Sequence, residues 1–133
     1  ELMKEFIKVH QFNVFCVNHP IQIALAEYIT IANNYQQLDL FYEQKRNLFL
    51  EAIKDSKFTF TPSKATYFQV LNYSKITNDN DVEFAKKLTI KLGIASIPIS
   101  VFNANKLDEK VLRFCFAKKD ETLLKAAKIL NTL

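Results

Sequence analysis

The sequence predicts a mixed α/β chain of the α+β kind, with a helical N-terminal segment followed by a small sheet covered by helices. Three observations carry that expectation. Up to about Asp55, apolar residues recur at helical spacing. From Phe58 onward, short runs of β-branched and aromatic residues alternate with further helical patterns. Finally, Val111-Leu112-Arg113-Phe114-Cys115-Phe116-Ala117 is apolar except for one guanidinium, the pattern of a strand buried on both faces or nearly so.

Glu1 to Val9 reads as an amphipathic helix already under way, with Leu2, Phe6 and Val9 on one face and neither an initiator nor an N-cap before them. The chain is therefore expected to be a piece of a longer protein. This helix should end around His10-Gln11, and an apolar connector, Phe12 to Val17, should follow. Asn18 or His19 can cap a second helix whose first turn holds Pro20, where the missing N–H does no harm. Asn33-Asn34-Tyr35 should break or bend it. Leu38, Phe41, Leu48, Phe49, Ala52 and Ile53 then mark a longer helix to about Asp55.

Phe58-Thr59-Phe60-Thr61-Pro62 reads as a short strand stopped by proline, Ser63-Lys64-Ala65 as a turn, and Thr66 to Tyr73 as a stronger strand. Asn78-Asp79-Asn80-Asp81 offers caps and early negative charge to a helix with Val82, Ala85, Leu88 and Leu92 inward, and Gly93 fits its C′ position. Ile94 to Val101 is a third extended segment, short or at an edge because of Pro98. After a polar loop and the Arg113 strand, Asp120 should cap a last helix facing inward through Leu123, Leu124, Ala127 and Leu130.

Composition bounds the function. At 133 residues and 49% hydrophobic, the chain is long and apolar enough for one globular domain with a real core. No run suits a membrane span or a secretory signal. The net charge of +4 is spread over helix-borne lysines, which suits solvated faces better than a nucleic-acid stripe. Cys16 and Cys115 lack metal-like spacing and fit reduced thiols in a cytosolic protein. With Gly93 as the single glycine, turns fall to Asn, Asp, Ser and Pro, and no phosphate-cradling glycine loop is present. His10 and His19 lie near Cys16 in sequence, but spacing alone does not make a nucleophile pair.

Arg113 is the sharpest candidate. Alternation puts it on one strand face with Val111 and Cys115, and puts Leu112, Phe114 and Phe116 on the other. An unpaired charge in an apolar interior costs several kcal/mol. Arg113 must therefore pair with one of the chain's own acids, reach solvent from an edge strand, or await a ligand's carboxylate, which a planar guanidinium binds through two parallel hydrogen bonds.

Several motifs then point one way. His10-Gln11, Phe15 and Asn18-His19-Pro20-Ile21-Gln22 resemble a segment of the class I/II aminotransferases. So do Thr66-Tyr67-Phe68, Ile97-Pro98-Ile99-Ser100-Val101-Phe102 and Leu112-Arg113-Phe114-Cys115-Phe116-Ala117-Lys118. The resemblance covers essentially the whole chain and is nearest the methionine and kynurenine/glutamine aminotransferase group. It implies the C-terminal part of a fold-type I enzyme: residues 1–34 the tail of the large domain, residues 35–133 the small domain. The intact enzyme is expected to be a cytoplasmic homodimer that holds pyridoxal phosphate as a Schiff base. It would move an amino group from an amino acid (methionine, aromatic or glutamine) to a 2-oxo acid.

In that resemblance Arg113 matches the arginine that grips the substrate α-carboxylate, and Phe68, with Tyr67 beside it, an aromatic position near the substrate. Phe15 matches a residue that reaches the neighbouring subunit's site. No residue here matches a catalytic, cofactor-binding or metal-binding position. The Schiff-base lysine would lie before Glu1, so the chain alone should be inactive and form no covalent link to the cofactor. The sequence departs from the family pattern at Ala65, where glycine is usual, at Cys16, where some relatives have histidine, and at Asn72, where aspartate is common. Ala65 puts the turn's geometry in question, and Cys16 weakens any inference of aromatic specificity. Two rival readings are a non-catalytic interaction domain docking through an exposed Phe12–Phe15 connector and, further off, a weak nucleic-acid binder.

Overall fold

Helices come first in the chain. In the computed structural model, which describes residues 1–14 and 16–133, α1 spans Leu2–Asn13 and α2 spans His19–Tyr28. α1 runs a turn's fraction past the expected end at His10-Gln11 and takes in Phe12. Asn18 caps α2 by accepting the Ile21 N–H at 3.2 Å, with Pro20 in the first turn. A 3₁₀ turn, Ala32–Asn34, follows where the Asn-Asn-Tyr run was expected to break the helix. Reciprocal bonds close it: the Tyr28 hydroxyl donates to the Asn34 carbonyl at 2.8 Å, and the Asn34 amide donates to the Tyr28 carbonyl at 3.0 Å. Neither α1 nor α2 buries a described residue.

The described residues form two compact units, Glu1–Leu38 and Asp39–Leu133. The second holds the core. It comprises α3 (Leu38–Ala52, from its second residue), β1 (Phe68–Asn72), α4 (Asp81–Leu92), β2 (Ile97–Pro98), β3 (Val111–Cys115) and α5 (Asp120–Leu130). The three strands are antiparallel in the order β1-β3-β2, so the Arg113 strand is central. Its register sets Phe68 opposite Cys115, Val70 opposite Arg113, and Ile97 opposite Arg113 on the other side.

One sheet face carries Gln69, Leu71, Leu112 and Phe114, all buried, and packs into a core to which α3, α4 and α5 contribute Phe49, Leu88, Leu123, Ala127 and Leu130, with Ile53 from the turn after α3. Phe114 meets Phe58 edge-on at 6.1 Å and Phe49 at 6.5 Å between ring centroids. Phe84, buried against Tyr73 at 4.6 Å, joins this core from α4, while Val82 and Leu92 are only half-buried and Leu124 is exposed. The expectation of a strand buried on both faces is corrected here. Val111, Arg113 and Cys115 are half-buried and Val70 and Ile97 exposed, so β3 is sealed on one face within this unit.

Further expectations change, beginning with the strands expected over Thr66 to Tyr73 and Ile94 to Val101, which shorten to β1 and β2. Phe58–Pro62 makes one bridge, Thr59 with Asn72, and not a strand. Pro62 has no N–H to continue a ladder, and the buried Gln69 side chain takes the ladder's place. Its amide donates to the Thr61 and Val70 carbonyls at 2.9 Å each, and its oxygen accepts the Ser63 N–H at 3.0 Å. Asp120 does not cap α5. Lys119 holds the N-cap position without a side-chain bond, and Asp120 sits in the first turn, paired with Lys45 at 2.6 Å. α3 stops at Ala52, short of Asp55. α4, by contrast, is bounded as expected, with Asn80 accepting the Glu83 N–H at 2.9 Å and Gly93 left-handed at φ +68°.

Candidate functional site

The open face of the sheet is the place to look. It presents Phe68, Val70, Val111, Arg113 and Cys115, half-buried or exposed, with one charge among them. The guanidinium carbon of Arg113 lies 4.2 Å from the centre of the Phe68 ring and 5.5 Å from that of Phe102. Its Nε is buried and, among the described residues, has no hydrogen-bond partner. No carboxylate among them makes an ion pair with it. Cation–π contact offers about 0.5–2 kcal/mol, less than the several kcal/mol that an unpaired buried charge costs. Half-burial softens the cost but leaves a group that a planar anion would satisfy through charge-assisted hydrogen bonds.

The aromatic wall continues from Phe68 to Tyr67 (4.4 Å between centroids) and from Tyr67 to Tyr42 of α3 (6.1 Å). Tyr67 is exposed and Phe68 half-buried. The structure therefore brings Arg113 and Phe68 together on the open sheet face, with Tyr67 beside Phe68 just before β1. Phe15 lies outside the described residues.

Anchors away from the ring cluster hold this wall. The loop before Tyr67 is tied by Gln69 and by Arg46, which donates to the Ser63 carbonyl at 2.8 Å while pairing with Glu43 at 2.9 Å. The left-handed residue of this loop is Thr66, at φ +68°; Ala65 keeps a negative φ, so the doubt raised at position 65 moves one residue on. Asn72 uses its amide to donate to the Glu109 carbonyl at 3.3 Å, a bond that an aspartate in its place lacks.

Phe102 ends a 3₁₀ turn, Ser100–Phe102, whose first residue is fastened to Asp81. Sequence reasoning missed Phe102 as a neighbour of the arginine, and Asp81 with Ser100 as the fastening of the turn that carries it. Phe102 stood in a quoted motif without a role, and Asp81 read as early helix charge. Only the tertiary fold brings residues 81 and 100 together.

A charged cluster steadies the loop that leads into β3. Lys110, at φ +59°, donates to the Asn78 and Asp79 carbonyls at 3.2 and 3.0 Å and to Asp108 at 2.8 Å. Burial works against the ionised Asp108, but hydrogen bonds from the Lys110 ammonium and backbone N–H, with the Lys110 charge and the Asp81 backbone N–H, outweigh it and hold its carboxyl below the usual range. Burial, then the neighbouring carboxylates Asp108, Asp81 and Asp79, push the Tyr73 phenol well above its ordinary value. It stays a neutral donor, bonded to the Asp79 carbonyl at 3.1 Å.

Residues 4–130 match the profile of the family "Aminotransferase class I and II". The chain belongs to the class I and II aminotransferases. It is 43% identical over 130 residues to the methionine aminotransferase of Escherichia coli K12, covering 97% of this chain and 34% of that protein. It is 29% identical to a kynurenine–oxoglutarate transaminase of Dictyostelium discoideum, covering 88% of this chain and 32% of that one. A crystal structure of an E. coli methionine aminotransferase superposes with a TM-score of 0.87 at 43% identity, over 95% of this chain and 33% of the other. An aromatic aminotransferase from Pyrococcus horikoshii, 17% identical over 97% of this chain and 35% of its own, shares the fold with a TM-score of 0.79. The mixed helical and antiparallel architecture is thus that of a fold-type I aminotransferase C-terminal domain, near the methionine and kynurenine aminotransferase group. The chain spans about a third of the length of the curated aminotransferases it matches.

Proposed function

We propose that this chain is the C-terminal part of a pyridoxal-phosphate-dependent aminotransferase that moves an amino group from an amino acid to a 2-oxo acid, with Arg113 binding the substrate α-carboxylate. The observation that carries the reading is the Arg113 guanidinium. In a chain of this family it lies against Phe68 and Phe102 on an open sheet face, with its Nε orphaned and no carboxylate of the described residues on it. Residues 1–34 belong in this reading to the large domain and residues 35–133 to the small domain. The intact enzyme is a cytoplasmic homodimer.

The orphaned nitrogen fits the substrate end of such a site, and the chain's role follows from it. Bound pyridoxal phosphate supplies an electron sink for charge that develops at the substrate α-carbon. Arg113 orients that carbon by gripping the carboxylate beside it. Amino donor and 2-oxo acceptor both carry an α-carboxylate, so one guanidinium serves both halves of the exchange. Phe68 and Phe102 keep water from its faces, which strengthens the ion pair. Tyr67 and Phe68 offer an apolar, polarisable shelf to the substrate side chain, suited to a thioether or an aromatic ring. Methionine is therefore the proposed donor, with aromatic amino acids and glutamine as competitors. The cofactor's covalent and phosphate contacts fall to residues outside this chain, which by itself is inactive.

In the full-length enzyme, Arg113→Gln should lower kcat/KM by very roughly thirty- to several-thousand-fold, since removing one partner of a desolvated charge pair costs about 2–5 kcal/mol. Melting temperature and cofactor absorbance should hold. Activity within a few-fold of the parent would remove Arg113 as the carboxylate anchor, and joint loss of spectrum, stability and activity would make it a structural residue. The chain alone, mixed with pyridoxal phosphate and borohydride, should trap no stoichiometric adduct at a single lysine.

A further inference from the structure

We infer that Asp81 is a positioning residue for Arg113, acting through Ser100 and Phe102; this rests on the reading of Arg113 as the carboxylate grip. Asp81, 1% exposed in the first turn of α4, places both carboxylate oxygens on one residue. Its Oδ2 accepts the Ser100 N–H at 2.7 Å, and its Oδ1 accepts the Ser100 hydroxyl at 2.6 Å. Both bonds are short and charge-assisted, the strong kind. Capping does not explain Asp81, because Asn80 already caps α4 through the Glu83 N–H.

The fastening matters because little else holds the segment. β2 has two residues, one of them Pro98, which donates nothing to the ladder with β3. Ser100 opens the turn that ends at Phe102, closed by the Phe102 N–H on the Ile99 carbonyl (3.0 Å) and the Asn103 N–H on the Ser100 carbonyl (3.1 Å). Phe102 is itself 65% exposed, so core packing does not set its ring. The turn does, and the ring lies 5.5 Å from the guanidinium it helps to orient. A buried carboxylate on α4 thus governs the pose of an arginine on β3 that it does not touch.

The test is a set of variants in the full-length enzyme: Asp81→Asn, which keeps volume and one acceptor, and Phe102→Leu, at an exposed position that folding tolerates. Each is made alone and with Arg113→Gln. Each alone should raise KM for the amino acid about two- to thirtyfold, the span of one cation–π contact, with kcat and cofactor absorbance nearly unchanged; Asp81→Asn should also lower the melting temperature through its weakened buried bonds, whereas Phe102→Leu should not. In the Arg113→Gln background neither should raise KM further, because their route to the substrate is gone. If Arg113→Gln raises KM but the two single variants do not, the positioning role is wrong and the carboxylate reading stands. Equal effects in both backgrounds, or a fall in melting temperature with Phe102→Leu that tracks KM, would make Asp81 and Phe102 structural and overturn it. If Arg113→Gln leaves kcat/KM within a few-fold of the parent, the carboxylate reading fails and the positioning role falls with it.

Discussion

Thr66 holds a left-handed backbone at φ +68° directly before Tyr67 and Phe68. A β-branched residue there is strained by about 1–2 kcal/mol, because its Cβ crowds the following carbonyl. Its side chain is exposed, so little packing offsets the strain. Thr66→Gly should therefore stabilise the chain by up to about 1 kcal/mol, after roughly 0.5–1 kcal/mol is lost to the looser unfolded chain. Urea midpoints will check this, and a drop in stability would show that Thr66 makes a compensating contact. Gly93 shows the same backbone solved by composition: at φ +68° it is the residue that suits the bend. That position was legible from the sequence, since a glycine after a helical run is a C′ signal. Thr66 was not, because nothing in a threonine announces a positive φ.

Among elements, the junction of β1 with the chain at Thr61 and Ser63 is the least ordinary. Gln69 replaces a strand pairing with three side-chain bonds from a buried position. Gln69→Leu should cost about 1–3 kcal/mol for each polar group left without a partner. The readout is a lowered urea midpoint at constant slope, together with faster hydrogen exchange at the Ser63 amide. An unchanged midpoint would mean that the loop finds its partners elsewhere.

The Lys110 cluster makes a different prediction. The depressed Asp108 carboxyl contributes stability above its ordinary pKa of about 3.9, and that contribution is lost as pH falls through the lower folded value. Lys110→Met should therefore destabilise at neutral pH, and the gap from the parent should narrow as pH drops below about 4. A gap that is constant with pH would assign the effect to the Asn78 and Asp79 carbonyls instead.

What the sequence disclosed at this scale follows one rule. Periodicity and punctuation reveal elements whose cause is local, such as α4 between Asn80 and Gly93, or the alternation that faces Arg113 away from Leu112 and Phe114. The Phe58–Pro62 run looked like a strand because its residues favour one, yet its pairing was decided by a glutamine that reads as an ordinary strand position. The Asp81–Ser100 fastening joins residues that share no pattern. In the candidate site, motifs were enough to nominate Arg113, Phe68 and Tyr67, whereas Phe102 became a neighbour only once the fold brought it to the guanidinium.

For the molecule as a whole, the two units differ in kind. Asp39–Leu133 has its own buried core, whereas Glu1–Leu38 exposes Leu2, Phe6, Phe12, Ile21 and Leu25 and buries none of its described residues. So many exposed apolar side chains in one unit make a binding surface or an aggregation liability. The segment Asp39–Leu133 alone should stay monomeric in sedimentation velocity, while the 133-residue chain should associate as concentration rises. Association of both to the same degree would place the sticky surface on the second unit.

The sheet bears on what such assemblies can be. On one side it ends at β2, two residues long and blunted by Pro98; on the other, Thr59 and the Gln69 side chain already occupy groups of β1 that a newcomer would need. Both margins are thereby blunted against strand addition. Association of the folded chain is thus expected through its exposed helices, which detergent should reverse, and not by strand addition to this sheet.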